Sequence, residues 1–162
     1  MKIEICIPSY RRSEYVESFH LFPNALYYVH QDEADKYRAN YPDMRLKIIP
    51  NKLQGNIAVI RNYILDTAEC DILVMANDDI EFLAYFEDNK RVKIESEDGI
   101  LAFVHKYSLL AMELGVKLWG VNVAEDKSFY REHTPFSFKS IVLSPSSASK
   151  ISGAFARTIK LP

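Results

Sequence analysis

Residues 56–79 read NIAVIRNYILDTAECDILVMANDD, and they contain the clearest helix and strand patterns of the chain. Residues 56–68 are predicted as a helix, because apolar side chains recur there at helical spacing on one face: Ile57, Ile60, Ile64 and Leu65. The run CDILVMA at residues 70–76 is almost entirely apolar and has the length of a strand. Such a run is expected where helices cover both faces of a parallel sheet. The stretch therefore predicts a helix that leads into a buried strand, and this strand ends in the polar residues 77–79.

The same alternation of strand and helix extends in both directions along the chain. Strands are predicted at residues 2–7, 26–30, 46–50 and 117–123. Helices are predicted at residues 13–22, 34–42 and 99–115, the last of them closed by Gly115. A polar stretch at residues 87–97 is predicted as a hairpin or a loop. Because repeated strand–helix alternation is typical of βαβ units, we predict an α/β fold with an open, mostly parallel sheet and helices on both faces.

Length and composition fit one ordinary globular domain. The chain has 162 residues, of which 48% are hydrophobic and 26% charged, so collagen-like and low-complexity chains are excluded. No apolar run approaches the ~18 residues that a membrane helix needs, and Glu4 and Pro8 interrupt any N-terminal signal segment. Cys6 and Cys70 lie in apolar stretches, as in a reduced protein. We therefore expect a cytoplasmic protein that does not contact a membrane.

Charge is distributed unevenly along the chain. The formal net charge is −2, but residues 127–162 contain six basic residues and one acidic residue and so carry +5. The first 126 residues accordingly carry −7. A basic segment of this kind is typical of an arm that meets an acidic partner such as nucleic acid, and equally of a solvated tail. Both interpretations stay open at this point.

Polar side chains gather where the predicted strands end. Ligands of open parallel sheets bind beyond the carboxyl ends of the strands, so residues at these positions are the candidates for a functional site. They are Pro8, Ser9, Tyr10, Arg11 and Arg12, then Asp32 and Glu33, then Gly55 and Asn56, and finally Asn77, Asp78 and Asp79. No P-loop, GxGxxG, HExxH or paired CxxC motif is present, which argues against P-loop and dinucleotide-binding domains and against the common zinc sites.

The segment NDDIE at residues 77–81 is the most informative of these positions. Adjacent carboxylates repel each other, and a divalent cation that bridges them to substrate phosphates relieves the repulsion. Carboxylate and phosphate oxygens suit Mg²⁺ or Mn²⁺. If the strand geometry continues, Asn77, Asp79 and Glu81 share one face and Asp78 points away. The alternative is a solvated turn, since Asn and Asp are common turn residues.

Three segments together resemble a family. IPSYRR after the first strand, the helix entry GNIAVIRN and the strand end NDDI are similar to nucleotide-sugar glycosyltransferases of the GT-A fold. The arrangement most resembles phage-type enzymes that occur with base-oxidising enzymes and glycosylate modified DNA bases. The resemblance covers residues 1–125, which it implies are a nucleotide-sugar-binding α/β domain. Residues 126–162 are then a basic C-terminal segment that belongs to an acceptor region or to a truncated one.

The resemblance implies roles for individual residues. Pro8, Ser9, Tyr10 and Arg11 would line the base and ribose, with Asp32 or Glu33 bonded to the base. Gly55 and Asn56 begin the helix entry, and Arg61 and Asn62 approach the diphosphate or sugar. Residues 77–79 match the DxD motif, in which Asp79 holds Mn²⁺ or Mg²⁺ with Asp78 beside it, and Asn77 contacts the ribose or the metal. Asp79 and Arg61 are thus the predicted catalytic residues, acting on a nucleoside diphosphate sugar.

Two departures from the family keep other functions open. The first position of the DxD motif is Asn77, which contributes no charge, and only 39 residues follow the strand at 117–123. A nucleotidyltransferase would use similar carboxylates and metals, but IPSYRR lacks the glycine-rich loop that such enzymes carry. A non-catalytic domain that binds sugar nucleotides is the third possibility. The general base, the sugar and the acceptor are not assigned by the sequence.

Overall fold

The computed structural model describes residues 1–53, 56–87, 90–121 and 155–158. Three α-helices lie in this part of the chain: α1 (Ala34–Asn40), α2 (Ile57–Thr67) and α3 (Glu97–Glu113). The strands there are β1 (Ile3–Pro8), β2 (Leu26–His30), β3 (Arg45–Ile49), β4 (Ile72–Met75), β5 (Leu83–Glu87), β6 (Lys90–Ile94), β7 (Leu118–Gly120) and β8 (Phe155–Thr158). Short 3-10 helices occur at Glu17–His20 and Asn51–Leu53.

Six of these strands form one sheet in the order β3-β2-β1-β4-β8-β7. The strands β1 to β4 run parallel to one another, with Ile3 paired to Ile72 and Cys6 paired to Leu26. The strand β8 is antiparallel to both of its neighbours, β4 and β7. The prediction of an α/β fold with a mostly parallel sheet is therefore confirmed.

Both faces of the parallel strands are buried, each under different helices. On one face, Ile72 and Val74 of β4 belong to a core that includes Ile100 and Val104 of α3. On the other face, Leu73 and Met75 pack in a second core with two residues of α2, Ile60 and Ile64. The alternation follows from the two-residue period of a strand. The near-continuous apolar run at residues 70–76 therefore has the cause that was expected, namely burial on both sides.

Most predicted elements are present with shifted ends. The helix predicted at residues 99–115 begins at Glu97, because the Ser96 hydroxyl caps it by accepting a hydrogen bond from the Gly99 amide at 3.1 Å. Gly115 follows its end with a φ of 68°, the left-handed conformation that suits glycine at a helix C-terminus. Of the stretch at residues 87–97, the described residues 87 and 90–94 belong to a hairpin of β5 and β6 that already starts at Leu83, whereas Glu97 begins α3.

The prediction of a helix at residues 13–22 is wrong. Only Glu17–His20 is helical, and it is a single 3-10 turn. The Val16 amide donates to the Tyr41 hydroxyl at 2.8 Å, and the Ser18 amide donates to the Asp78 carbonyl at 3.2 Å. These amides are therefore bonded to distant parts of the chain and are not available for the ladder of an α-helix.

The C-terminal segment enters the described structure only through β8. Its backbone separates β4 from β7 in the sheet, so the sheet includes residues beyond position 125. The other residues of 126–162 lie outside the described part of the chain, as does Gly55. The division of the chain at residue 125 therefore stays a prediction.

Candidate functional site

The candidate site lies where the order of the strands reverses. From β1 the chain builds the sheet outwards through β2 and β3, and then crosses to β4 on the other side of β1. Open α/β sheets bind their ligands at such a point, beyond the carboxyl ends of the strands. Here the loops that follow β1 and β4 are residues 9–12 and residues 77–79.

A chain of hydrogen bonds joins these two loops through a buried tyrosine. The Arg12 amide donates to the Tyr37 hydroxyl at 3.2 Å, and the hydroxyl groups of Tyr37 and Ser9 are 2.8 Å apart. The Ser9 hydroxyl donates to Oδ2 of Asp78 at 2.6 Å. Because Ser9 and Tyr37 are both buried, this chain fixes the backbone of the first loop relative to the acidic turn.

The guanidinium of Arg12 contacts both carboxylates of the turn. Its Nε lies 3.6 Å from Oδ1 of Asp78, and its Nη2 lies 3.5 Å from Oδ2 of Asp79. The strand geometry does not continue past Met75, because residues 78 and 79 form a turn. The condition under which Asp78 would point away from Asn77, Asp79 and Glu81 is therefore not met, and the carboxylates of Asp78 and Asp79 face the same arginine.

Burial works against the charge on Asp78. Its side chain is 13% exposed, and this desolvation raises the pKa of the carboxyl above its usual value. The hydrogen bond from Ser9 and the charge of Arg12 oppose the rise, while the neighbouring charge of Asp79 adds to it. The turn thus holds two carboxylates that favour an additional positive charge nearby.

One oxygen of Asp79 is suited to binding a cation. Within the described residues, Oδ1 of Asp79 is buried and has no hydrogen-bond partner, although the side chain as a whole is 38% exposed. No group of three or more His, Cys, Asp or Glu side chains that could hold a metal occurs in the described part of the chain. Mg²⁺ commonly takes only one or two carboxylates and completes its coordination with water and substrate phosphates. The donor set therefore fits a cation that is bound together with a phosphate ligand.

Helix α2 brings a second guanidinium to the same edge of the sheet. Nη2 of Arg61 donates to Oδ1 of Asn77 at 3.0 Å, so the first residue of the acidic turn is held by the helix. The N-terminus of α2 is capped by Asn56, whose side chain accepts hydrogen bonds from the amides of Ala58 and Val59. Partial burial lowers the pKa of Arg61, which remains cationic at neutral pH. The helix thus places a positive charge beside the turn.

The loop of residues 9–12 also carries an exposed aromatic ring. Tyr10 is 52% exposed and contacts the ring of buried His30 edge-on, with 5.2 Å between the centroids. The guanidinium of Arg11 lies 4.9 Å from the centroid of the Tyr10 ring. Arg11 has a φ of 57°, a left-handed conformation that is strained for a residue other than glycine. Its amide donates to the Glu33 carboxylate at 3.1 Å, which stabilises this conformation.

The remaining predicted residues lie around this centre. Pro8 is the last residue of β1, and Asp32 is exposed in the turn after β2, where Glu33 contacts the first loop instead. Asn62 is exposed on α2 next to Arg61, and no described hydrogen bond joins its side chain to the acidic turn. Tyr37 also belongs to the site, although no motif in the sequence indicates it. Nothing local signals its role, because its partner Ser9 is 28 residues away in sequence.

The chain was compared with protein families, with curated proteins and with solved structures. No protein-family model and no curated protein matches this chain. Among solved structures, the mannosyltransferase PcManGT from Pyrobaculum calidifontis, in complex with GDP-Man and Mn²⁺, is similar with a TM-score of 0.34 and 15% sequence identity. The match covers 54% of this chain and 30% of the mannosyltransferase. At this level of likeness the chain is assigned to no family.

Within the described residues, no helix is both long enough and apolar enough to cross a bilayer.

Proposed function

We propose that this chain is a metal-dependent glycosyltransferase that moves a sugar from a nucleoside diphosphate donor to a hydroxyl group. The observation that carries the proposal is the convergence of three segments at the point where the strand order reverses. These segments contribute two carboxylates, two guanidinium groups and an exposed aromatic ring. In a sugar nucleotide, the diphosphate would bind guanidinium groups and a cation held by carboxylates, and the base would stack on an aromatic ring. The resemblance of IPSYRR, GNIAVIRN and NDDI to GT-A enzymes agrees with this chemistry.

The two guanidinium groups would bind the diphosphate. The Arg61 guanidinium donates a hydrogen bond to Asn77 at 3.0 Å, so its positive charge is already held beside the turn before a ligand binds. As the bond between the sugar and the diphosphate breaks, negative charge grows on the leaving phosphate. A guanidinium that is already in place stabilises this charge without reorganisation, and charge-assisted hydrogen bonds to phosphate are among the strongest available to a protein.

Asp79 would hold the divalent cation. Its Oδ1 is buried without a hydrogen-bond partner in the described part of the chain, and Asp78 lies beside it. A bound Mg²⁺ or Mn²⁺ would supply further electrostatic stabilisation of the leaving diphosphate. Asp78 has a second task, since it accepts the hydrogen bond from Ser9 at 2.6 Å and so holds the first loop against the turn.

The exposed ring of Tyr10 would receive the nucleoside base. The ring is 52% exposed, contacts His30 edge-on and has the Arg11 guanidinium 4.9 Å from its centroid, so a base would stack on the surface that remains exposed. Glu33 keeps the strained Arg11 in place, so the loop presents Tyr10 in a fixed position. Pro8, Asp32, Gly55, Asn56 and Asn62 complete the proposed nucleotide site.

The acceptor that we propose is a hydroxyl group on a modified base in DNA. Two clues support it: the net charge of +5 on residues 127–162, and the similarity to enzymes that glycosylate DNA bases. The target base would have to be flipped out of the duplex or presented in a single strand in order to reach the sugar.

Ligand binding with and without metal tests this function. UDP-, GDP-, CMP- and TDP-sugars are titrated by calorimetry with Mn²⁺ and again with EDTA, and release of the free nucleotide is followed, which is the nucleoside diphosphate for all of them except the CMP-sugar, which releases CMP. We expect one class of donor to bind at least about tenfold more weakly in EDTA, because the carboxylates then face the phosphates unscreened. Asp79→Asn should abolish this metal dependence, whereas Asp43→Asn, an exposed residue ahead of β3, should leave it intact.

The other outcomes select among the alternatives. Equal affinity with metal and with EDTA contradicts the role of the cation. Tight, metal-dependent binding without turnover on any acceptor indicates a non-catalytic sugar-nucleotide domain. Release of pyrophosphate from a nucleoside triphosphate indicates a nucleotidyltransferase.

A further inference from the structure

The position of the Arg12 side chain suggests a role beyond binding phosphate. Its guanidinium contacts one oxygen of Asp78 at 3.6 Å and one oxygen of Asp79 at 3.5 Å, and so bridges the two carboxylates. A divalent cation held by this acidic turn would neutralise the same pair of charges. Arg12 therefore provides, from within the chain, the positive charge that the turn requires when no metal is bound.

We propose that Arg12 is an exchangeable counter-ion, which bridges the carboxylates in the metal-free protein and leaves them when the cation binds. The released guanidinium would then contact the diphosphate of the donor. This inference rests on the proposed function for the identity of the donor. The exchange itself concerns only the metal and the protein.

The contacts of Arg12 allow its side chain to move while its backbone stays in place. Both ion-pair distances are longer than the roughly 2.7–2.9 Å of a strong charge-assisted hydrogen bond, and the side chain is 44% exposed. The pair with Asp79, whose side chain is 38% exposed, is a surface ion pair and contributes little to stability. Beside the more buried Asp78, the incoming cation would replace the positive charge that Arg12 withdraws. The backbone is held separately, because the Arg12 amide donates to Tyr37 and the Arg12 carbonyl accepts from the Tyr15 amide at 3.0 Å. The guanidinium would consequently remain close to the site after its release.

The charges at the site favour such an exchange. In the metal-free protein the two carboxylates are balanced by the guanidinium groups of Arg12 and Arg61, so the site has no net charge to attract a diphosphate. When a divalent cation binds and the guanidinium stays nearby, the same groups carry a net positive charge, which attracts it. The exchange would therefore couple the binding of metal to the binding of donor.

Titration with Mn²⁺ alone, without nucleotide, tests the exchange. Binding is followed by the loss of the electron paramagnetic resonance signal of free Mn²⁺ in the whole chain and in three variants. Arg12→Gln removes the charge and the bridge, whereas Arg12→Lys keeps the charge but replaces the planar fork, whose two nitrogens each contact one carboxylate, with a point charge that holds the pair less firmly. Arg38→Gln is the matched control, because Arg38 is an exposed residue that pairs with Asp35 on α1.

We expect Arg12→Gln to bind Mn²⁺ about tenfold more tightly than the unaltered chain, and Arg12→Lys to bind it more tightly as well. Arg38→Gln should not change the affinity. If Arg12→Lys binds as weakly as the unaltered chain, only charge repulsion acts and the exchange is overturned. Unchanged affinity in Arg12→Gln overturns it too.

A second measurement needs no variant. In protein labelled with ¹⁵N-arginine, the Nε–H resonance of Arg12 should shift on titration with Mg²⁺, while that of Arg38 stays in place. An Arg12 resonance that does not move while Mg²⁺ binds contradicts the exchange. Neither measurement uses a sugar nucleotide, so a failure of the proposed function would appear separately, as the absence of donor binding.

Discussion

Asp78 is surrounded in a way that disfavours its charge. Its side chain is largely buried and contacts Ser9 and Arg12 of the first loop, and its backbone carbonyl accepts a hydrogen bond from the Ser18 amide. Desolvation outweighs the help from Ser9 and Arg12, so the pKa of the carboxyl is raised from 3.8. The ionised Asp78 carboxylate therefore lowers the free energy of unfolding at neutral pH. Residues that reduce stability in this way are typical of binding sites.

This shift predicts a pH-dependent effect of Asp78→Asn. A raised pKa means that the folded state binds more protons than the unfolded state, so the free energy of unfolding decreases as the pH rises from 3.8 through the raised pKa. Asn keeps an oxygen that accepts from Ser9 but carries no charge. In EDTA, Asp78→Asn should therefore melt at a higher temperature than the unaltered chain at pH 7, and this difference should shrink at pH 4. A difference that is constant with pH, or that also appears in the exposed Asp43→Asn variant, would contradict desolvation of the Asp78 carboxylate as its cause.

Tyr10→Ala tests the proposed base-stacking position. The ring is 52% exposed, so its removal should change the free energy of unfolding by no more than about 0.5 kcal/mol. By analogy with stacking of bases on aromatic residues, nucleotide binding should weaken by about 1–3 kcal/mol. Tyr15→Ala is a matched control, since Tyr15 is 66% exposed and was not assigned to the site. Unchanged affinity together with a lower melting temperature would make Tyr10 a packing residue instead.

At the scale of elements, α2 connects the stability of the fold to the geometry of the site. Its N-terminus is fixed by Asn56, and its second turn carries Arg61, which is bonded to Asn77. Its buried residues Ile60 and Ile64 hold the helix against the sheet. The cap and the packing together therefore determine where the guanidinium stands.

Asn56→Ala should lower the free energy of unfolding by about 1 kcal/mol, because two amides of the first turn lose their acceptor. Asn56→Asp keeps an acceptor oxygen and should restore most of that stability. The control Asn62→Ala lies in the same helix but is exposed and caps nothing, so it should leave the stability unchanged or slightly higher, as alanine favours helices. Urea denaturation of the four proteins measures the differences, and an Asn56→Ala variant as stable as the unaltered chain would show that the cap contributes nothing.

At the scale of the whole molecule, the charges of the chain are separated. The first 126 residues carry −7 and residues 127–162 carry +5. An acceptor with a phosphate backbone would be attracted to the second part and repelled by the first. The binding of donor and acceptor should accordingly depend on different residues.

Binding of single-stranded DNA should decrease linearly with rising salt on logarithmic axes, because each interaction with a phosphate releases counterions. Replacing Lys139 and Lys150 by glutamine should weaken this binding and reduce the salt slope by about one for each phosphate that is no longer neutralised. Affinity for the sugar nucleotide should stay the same. Arg157 is left unaltered because it belongs to β8 in the sheet. Absence of DNA binding at low salt would favour a small molecule, a glycan or a protein as the acceptor.

The sequence alone determined the elements whose signal is local. The helical period of apolar residues in α2 results from burial of one face, and the continuous apolar run of β4 results from burial of both faces. Each element could therefore be identified from its own segment. The α/β class followed from the alternation of such segments. The position of the candidate residues after the strands followed as well, since Ser9, Asp78 and Asp79 lie at strand ends in the sequence itself.

Only the tertiary structure decided how these residues meet. The segment at residues 13–22 has the local signals of a helix, but its amides bond to Tyr41 and to Asp78 far away in sequence. Asp78 faces the site because the strand stops and a turn begins, which depends on its contacts with Ser9 and Arg12. Contacts of this kind join residues that are separated by dozens of positions, and no periodic pattern records them. Local periodicity reports only which side of an element is buried, whereas the chemistry of the site depends on which distant side chains the packed sheet brings together.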